Sequence, residues 1–122
     1  MLIVKEIQEG AWREYQPGVE IKIRPIDKPT MRELRKKATR VVWEGRRRDD
    51  KLDETKFDHL VFRYVIEDWK GVVDGHKQPL PCSDDNKDRV TDQMISLSQW
   101  IMEEATSLAE SAEATLEEEI KN

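Results

Sequence analysis

From Ser83 onward the apolar residues recur at steps of three and four: Val90, Met94, Leu97, Ile101, Ala105, Leu108, Ala112, Leu116 and Ile120. That is the spacing of one helix face. Ser83 ahead of Asp84 and Asp85 supplies an N-cap followed by acids where the helix dipole favours them. Drawn as one helix over 84–120, the segment would be roughly 55 Å long at ~1.5 Å per residue. A compact body of 122 residues is only about 35 Å across. The helix is therefore expected to project, fray, break or pack on another molecule. Ala105, Ala109, Ala112 and Ala114 would permit close helix packing, whereas Glu117, Glu118 and Glu119 sit at the negative end of the dipole and favour fraying. The expected division is one body over 1–110 and an acidic, frayed or mobile end over 111–122.

The rest of the chain is expected to complete an α+β domain that is mostly α-helical. Val19-Glu20-Ile21-Lys22-Ile23-Arg24 alternates strictly, so Val19, Ile21 and Ile23 share a face. With Ala11–Tyr15 and the turn Gln16-Pro17-Gly18 it reads as an N-terminal β-hairpin, and Leu2-Ile3-Val4 is a candidate third strand. So small a sheet needs helices over its apolar face, and about three are expected. The first starts at Thr30 as N-cap, with Glu33 completing a capping box, and runs through Met31, Leu34, Ala38, Val41 and Val42 to Gly45. The second runs from Phe57 to about Trp69, apolar on nearly every side and hence central, with Gly71 as its left-handed stop. The third is the long C-terminal helix. Between them, Arg46–Asp53 reads as a solvated connector, and Val72–Cys82 as a turn followed by a stiff Pro79-Leu80-Pro81 segment that Trp69 would staple down by stacking.

Charge is distributed unevenly. The net charge is −5, with 39% charged and 37% apolar residues. Residues 31–48 carry eight basic side chains against two acidic ones, a local balance of +6, and residues 101–122 carry seven glutamates against Lys121, a balance of −6. Such polarity suits a molecule that meets a partner, or copies of itself, by charge complementarity. Candidate contact residues are Arg32, Arg35, Lys36 and Arg40 on the basic side, Trp69, and Leu97, Ile101, Glu104 and Leu108 on the long helix. Trp69, Gly71, Pro79, Pro81 and Ser83 form the candidate structural turn.

Nothing points to catalysis. His59 has no serine or second histidine beside it, His76 and Cys82 lack two further metal ligands, and the aspartates at 49, 50 and 53 lack the glycine and distal glutamate of a calcium loop. No phosphate cradle or nucleophile elbow is present. The expectation is a non-enzyme without cofactor or metal. One cysteine fits a reducing compartment, and no apolar run approaches a membrane span. The basic segment 32–48 raises nucleic-acid binding as an alternative, against which stand a pI near 5.2 and basic residues not interleaved with aromatic ones.

The stretch Ile66-Glu67-Asp68-Trp69-Lys70-Gly71-Val72-Val73-Asp74-Gly75, then Leu80-Pro81-Cys82-Ser83-Asp84-Asp85-Asn86-Lys87 and a helix ending near Trp100-Ile101, resembles the tail assembly chaperones of long-tailed bacteriophages and prophages. Those proteins share an acid-Trp-x-Gly-hydrophobic turn, a short loop and a Pro-x-Ser/Thr-x-acid-Asn helix start after a segment like Val19–Pro25. The resemblance spans most of 11–108, and its specific part is Ile66–Lys87. It implies a non-catalytic protein that coats the tape-measure protein, recruits tail-tube subunits, self-associates as a head-to-tail homo-oligomer, and works in the host bacterial cytoplasm without entering the mature virion. It also implies a longer frameshifted form. A structural tail component retained in the virion is the other phage-related expectation.

Overall fold

The computed structural model describes residues 10–121, with side chains through residue 112. The chain is α+β, in the order β1 (Ala11–Gln16), β2 (Val19–Ile23), α1 (Lys28–Lys37), β3 (Thr39–Glu44), β4 (Arg47–Leu52), α2 (Glu54–Val65), β5 (Ile66–Lys70), α3 (Asp84–Gln93) and α4 (Ile95–Lys121). The candidate strand Leu2-Ile3-Val4 lies outside the described residues. The expectation of a mobile end falls on 111–122, where α4 runs on as backbone to Lys121 and side chains beyond 112 lie outside the described ones.

The hairpin forms as the alternation predicts. β1 and β2 pair antiparallel, with Ala11 opposite Ile23 and Arg13 opposite Ile21, around a Pro17-Gly18 turn in which Gly18 takes φ +85°. Ile21 and Ile23 are fully buried. The third strand is β5, giving the order β1-β2-β5 with Ile21 opposite Trp69. This corrects the expected second helix, which ends at Val65 rather than Trp69. The Val65 carbonyl, at the helix end, accepts from the Arg24 N–H at 2.7 Å, so the chain passes directly from helix into an edge strand. The run had looked apolar all round because it joins a helix face to a strand face. Val61, Phe62 and Val65 of α2 pack with Ile66 and Trp69 of β5 and with Leu97, Ile101 and Ala105 of α4 in one core.

The first helix also differs. Its N-cap is Asp27, whose carboxylate accepts from the Thr30 N–H at 2.8 Å, so Thr30 lies inside the first turn. It ends at Lys37, because Thr39, Val41, Val42 and Trp43 are β-branched or aromatic and favour a strand. Thr39–Leu52 forms an antiparallel hairpin, β3–β4, in place of the expected helix end and solvated connector. Glu44 pairs with Arg47 across the two-residue loop Gly45-Arg46, with Gly45 at φ +63°, a glycine-first hairpin turn. The Asp53 N–H donates to the Ala38 carbonyl at 2.9 Å and closes its base.

The long C-terminal pattern breaks. Met94, at φ −111° and ψ 80°, separates α3 from α4. The Ser98 hydroxyl donates across the break to the Thr91 carbonyl at 2.7 Å and also reaches the Met94 carbonyl at 2.9 Å, which accepts from the Ser98 backbone N–H as well. A side chain thus bridges the two helices where the backbone ladder is interrupted. As expected, Ser83 caps α3, its hydroxyl accepting from the Asn86 N–H at 3.3 Å. Among the described residues, four helices therefore stand where about three were expected.

The loop after β5 is tied down. The Trp69 indole N–H donates to the Leu80 carbonyl at 2.8 Å, Leu80 N–H donates to Val72 at 3.0 Å, and Val73 bridges Pro79. A hydrogen bond thus does the stapling expected of stacking. Gly71 has φ +79°, and a Cβ there would lie 1.8 Å from the Gly18 carbonyl oxygen. Its left-handed turn follows a strand instead of a helix. Gly71→Ala is expected to cost about 3 kcal/mol, through both strain and backbone displacement. Gly45→Ala, whose Cβ would meet nothing within 4 Å, should cost only about 1 kcal/mol. Denaturant melts of the two variants check the difference.

Candidate functional site

The expected contact residues divide into a buried and an exposed set. Leu97 and Ile101 are buried in the core with Trp69, and Leu108 packs partly buried against it. Glu104 is held by Arg13 at 3.5 Å, and Tyr15 meets Trp100 with ring centroids 5.0 Å apart, so this face of α4 packs on β1 of its own chain. Arg32, Arg35 and Lys36 remain exposed on α1, with the Arg35 guanidinium 5.2 Å over the Phe57 ring. Arg40 is exposed on β3. The basic segment is thus a helix followed by an arm rather than one helical face. Pro79 and Pro81 frame the tied loop, and the Pro81 carbonyl accepts from the Asn86 side chain at 2.9 Å.

The arm carries residues that the reading of the sequence passed over. Cross-strand partners share a face, so Val41 with Asp50 and Trp43 with Arg48 lie on one side, and Arg40 with Lys51 and Val42 with Asp49 on the other. Trp43 is 63% exposed and Val41 47%. A two-stranded hairpin gains little from burial by itself, and this one leaves a tryptophan in water. The signal was legible: Thr39-Arg40-Val41-Val42-Trp43-Glu44-Gly45 has β-branched and aromatic residues leading into a glycine turn.

Two grooves flank the core. An apolar groove of about 330 Å³ lies between β1–β2, the tied loop and the α3–α4 break, lined by Tyr15, Val19, Val72, Leu80, Val90 and Met94 among others. Val73 and Met94 at its edge are about half exposed. A wider groove of about 740 Å³ runs along α2, α3 and α4, with Phe62, Ile95 and Met102 among its apolar lining and Asp58, Asp92 and Glu103 as its charged groups.

Charged clamps fix the helices that shape these grooves. Arg63 on α2 grips both oxygens of Asp88 on α3, with Nε to Oδ1 at 2.9 Å. The Lys87 ammonium bonds the Arg63 carbonyl at 3.2 Å, and His59 Nε2 lies 2.9 Å from Asp92. The bonds from Arg63 hold the Asp88 carboxyl below its ordinary range, outweighing its partial burial. Glu67 on β5 receives Arg24 at 2.9 Å and Lys22 at 3.3 Å. Burial pushes its carboxyl up, but these two cations hold it lowered on balance. Among the described residues, no group of three or more His, Cys, Asp or Glu side chains could hold a metal ion, and no helix is long and apolar enough to cross a membrane.

The YdaY prophage protein family matches residues 13–122, from β1 through the arm and α4. The chain belongs to this family. The phage or prophage origin that the sequence suggested therefore stands. No curated protein and no solved structure matches the chain.

Asp88 and Glu67, together with the α1 cap Asp27, whose carboxyl the bonds from Thr30 also lower, contribute to the acid stability. A depressed folded pKa contributes stability that is present above the ordinary carboxylate value, about pH 4, and is lost as pH falls through the folded value. Asp88→Asn is expected to cost about 1–2 kcal/mol at neutral pH and to flatten the decline below about pH 4. Urea melts at neutral and acid pH measure both effects.

Proposed function

We propose that this family member is a tail assembly chaperone of a long-tailed phage or prophage. It binds the tape-measure protein, helps recruit tail-tube subunits, self-associates and leaves before the virion is complete, acting in the host cytoplasm without catalysis. The observation that carries this reading is the apolar groove beside the α3–α4 break. Its apolar lining and half-exposed Val73 and Met94 suit the apolar face of a client helix, and methionine adapts to varied partners. The prophage family and the resemblance at Ile66–Lys87 support the same reading.

Val73→Asp combined with Met94→Glu puts charge at the groove edge while leaving the core in place. The wild-type chain is expected to co-purify with the tape-measure protein of the same prophage and keep it soluble. The double variant should recover at least about tenfold less client, a loss of ~1.4 kcal/mol. Failure of the wild-type chain to hold the tape-measure protein overturns the reading. If the chain is found in purified virions, the structural-component reading replaces it.

A nucleic-acid-binding regulator is the rival reading. A two-stranded ribbon fits the major groove, and Arg46, Arg47 and Arg48 cluster at the arm tip. Glu44, Asp49 and Asp50 on the same arm oppose phosphate.

A further inference from the structure

The β3–β4 arm exposes an apolar stripe that the described residues leave largely uncovered. Apart from each other, its strands pack mainly on α1. On one face stand Val41, Trp43, Arg48 and Asp50, the last two only loosely paired at 3.5 Å where both are well exposed, and the arm as a whole carries five basic side chains against three acidic ones. The wide groove along α2, α3 and α4 has the complementary character. Phe62, Ile95 and Met102 are apolar, Ile95 is 70% exposed, Asp58, Asp92 and Glu103 are acidic, and neither lysine nor arginine lines it. Burial and the nearby Asp92 push the Asp58 carboxyl up, against the opposing pull of His59. An incoming cation would relieve that crowding of acids.

We propose that the arm of one molecule docks in the α2–α3–α4 groove of a second copy, with Trp43 and Val41 on the apolar lining and Arg48 among Asp58, Asp92 and Glu103. Donor and acceptor are different surfaces of the same chain. The contact is therefore heterologous, and each molecule can give and receive at once, forming chains or rings. An arm of six-residue strands covers less than a standard interface of about 800 Å² per partner, so the association is weak, concentration-dependent and reduced by salt. This deepens the self-association in the reading above by naming its two surfaces, and it needs no client.

The test is sedimentation velocity of the full chain at low salt. An arm variant carries Trp43→Ser and Arg48→Glu, and a groove variant carries Asp58→Asn and Glu103→Lys. All four positions are exposed, and circular dichroism checks the folding of each variant. The wild-type chain should form species that grow with concentration, while each variant alone should associate at least about tenfold more weakly. An equimolar mixture should form dimers and nothing longer, because one variant keeps only a working groove and the other only a working arm. Variants that assemble like the wild type, a mixture that stays monomeric, or a wild-type chain that is monomeric at high concentration each overturn the proposal. A monomeric chain that retains duplex DNA through the arm overturns it in favour of nucleic acid. Failure here leaves the client experiment standing, and failure of client binding leaves arm docking standing.

Discussion

The pairing of β2 with β5 is the constraint on which the other elements depend. β2 sits between β1 and β5, places Ile21 and Ile23 fully inside, and receives β5 at the residue where α2 stops. The bond from Arg24 N–H to the Val65 carbonyl fixes that switch. α2 is thereby laid across the sheet, and Trp69 is aimed at Leu80 so that the following loop closes over the edge of the core. Gly71 and Gly18 approach so closely there that no side chain fits at 71, which couples the β1–β2 turn to the loop after β5.

Around this frame, charge acts chiefly by placement. Glu67 gathers Arg24, Lys22 and the Gly10 N–H, tying the start of β1 to the sheet. Arg63 with Asp88 and His59 with Asp92 align α3 on α2. Exposed ion pairs contribute little, and the His59–Asp92 contact is exposed. The Arg63–Asp88 pair and the Glu67 cluster, however, are multidentate and partly enclosed, so they set the register of packed elements as well as adding stability. Arg13 with Glu104 joins α4 to β1 in the same way, which removes one of the acids that the sequence offered for contact with a partner.

The elements legible in the sequence were those whose signal is local. Alternation at Val19–Ile23, the cap at Ser83 and the left-handed glycine at 71 depend on neighbours a few residues away. The elements misread were those where two local signals abut. Phe57–Trp69 spliced a helix to a strand, and Met31–Val42 spliced a helix to another strand, because an apolar residue counts equally toward either period over so short a window. The α3–α4 break was invisible because Val90, Met94, Leu97 and Ile101 keep helical spacing across it, while the Ser98 hydroxyl that accommodates it acts through backbone carbonyls.

Of the candidate contact residues, the exposed basic ones on α1 and β3 were correctly sensed as surface, since eight charges against two acids cannot be buried. Leu97 and Ile101 were not separable from core residues, because an apolar stripe looks the same whether its own chain or another molecule covers it. By itself the sequence determined the α+β class, the face of β2 that turns inward and the segregation of charge, all consequences of residue type and short spacing. Only the tertiary structure decided that the basic segment ends in an arm, that α4 is anchored on β1, and that an acid-lined groove is left open. Those outcomes depend on which distant surfaces cover one another, and that is settled by packing between segments far apart in the chain.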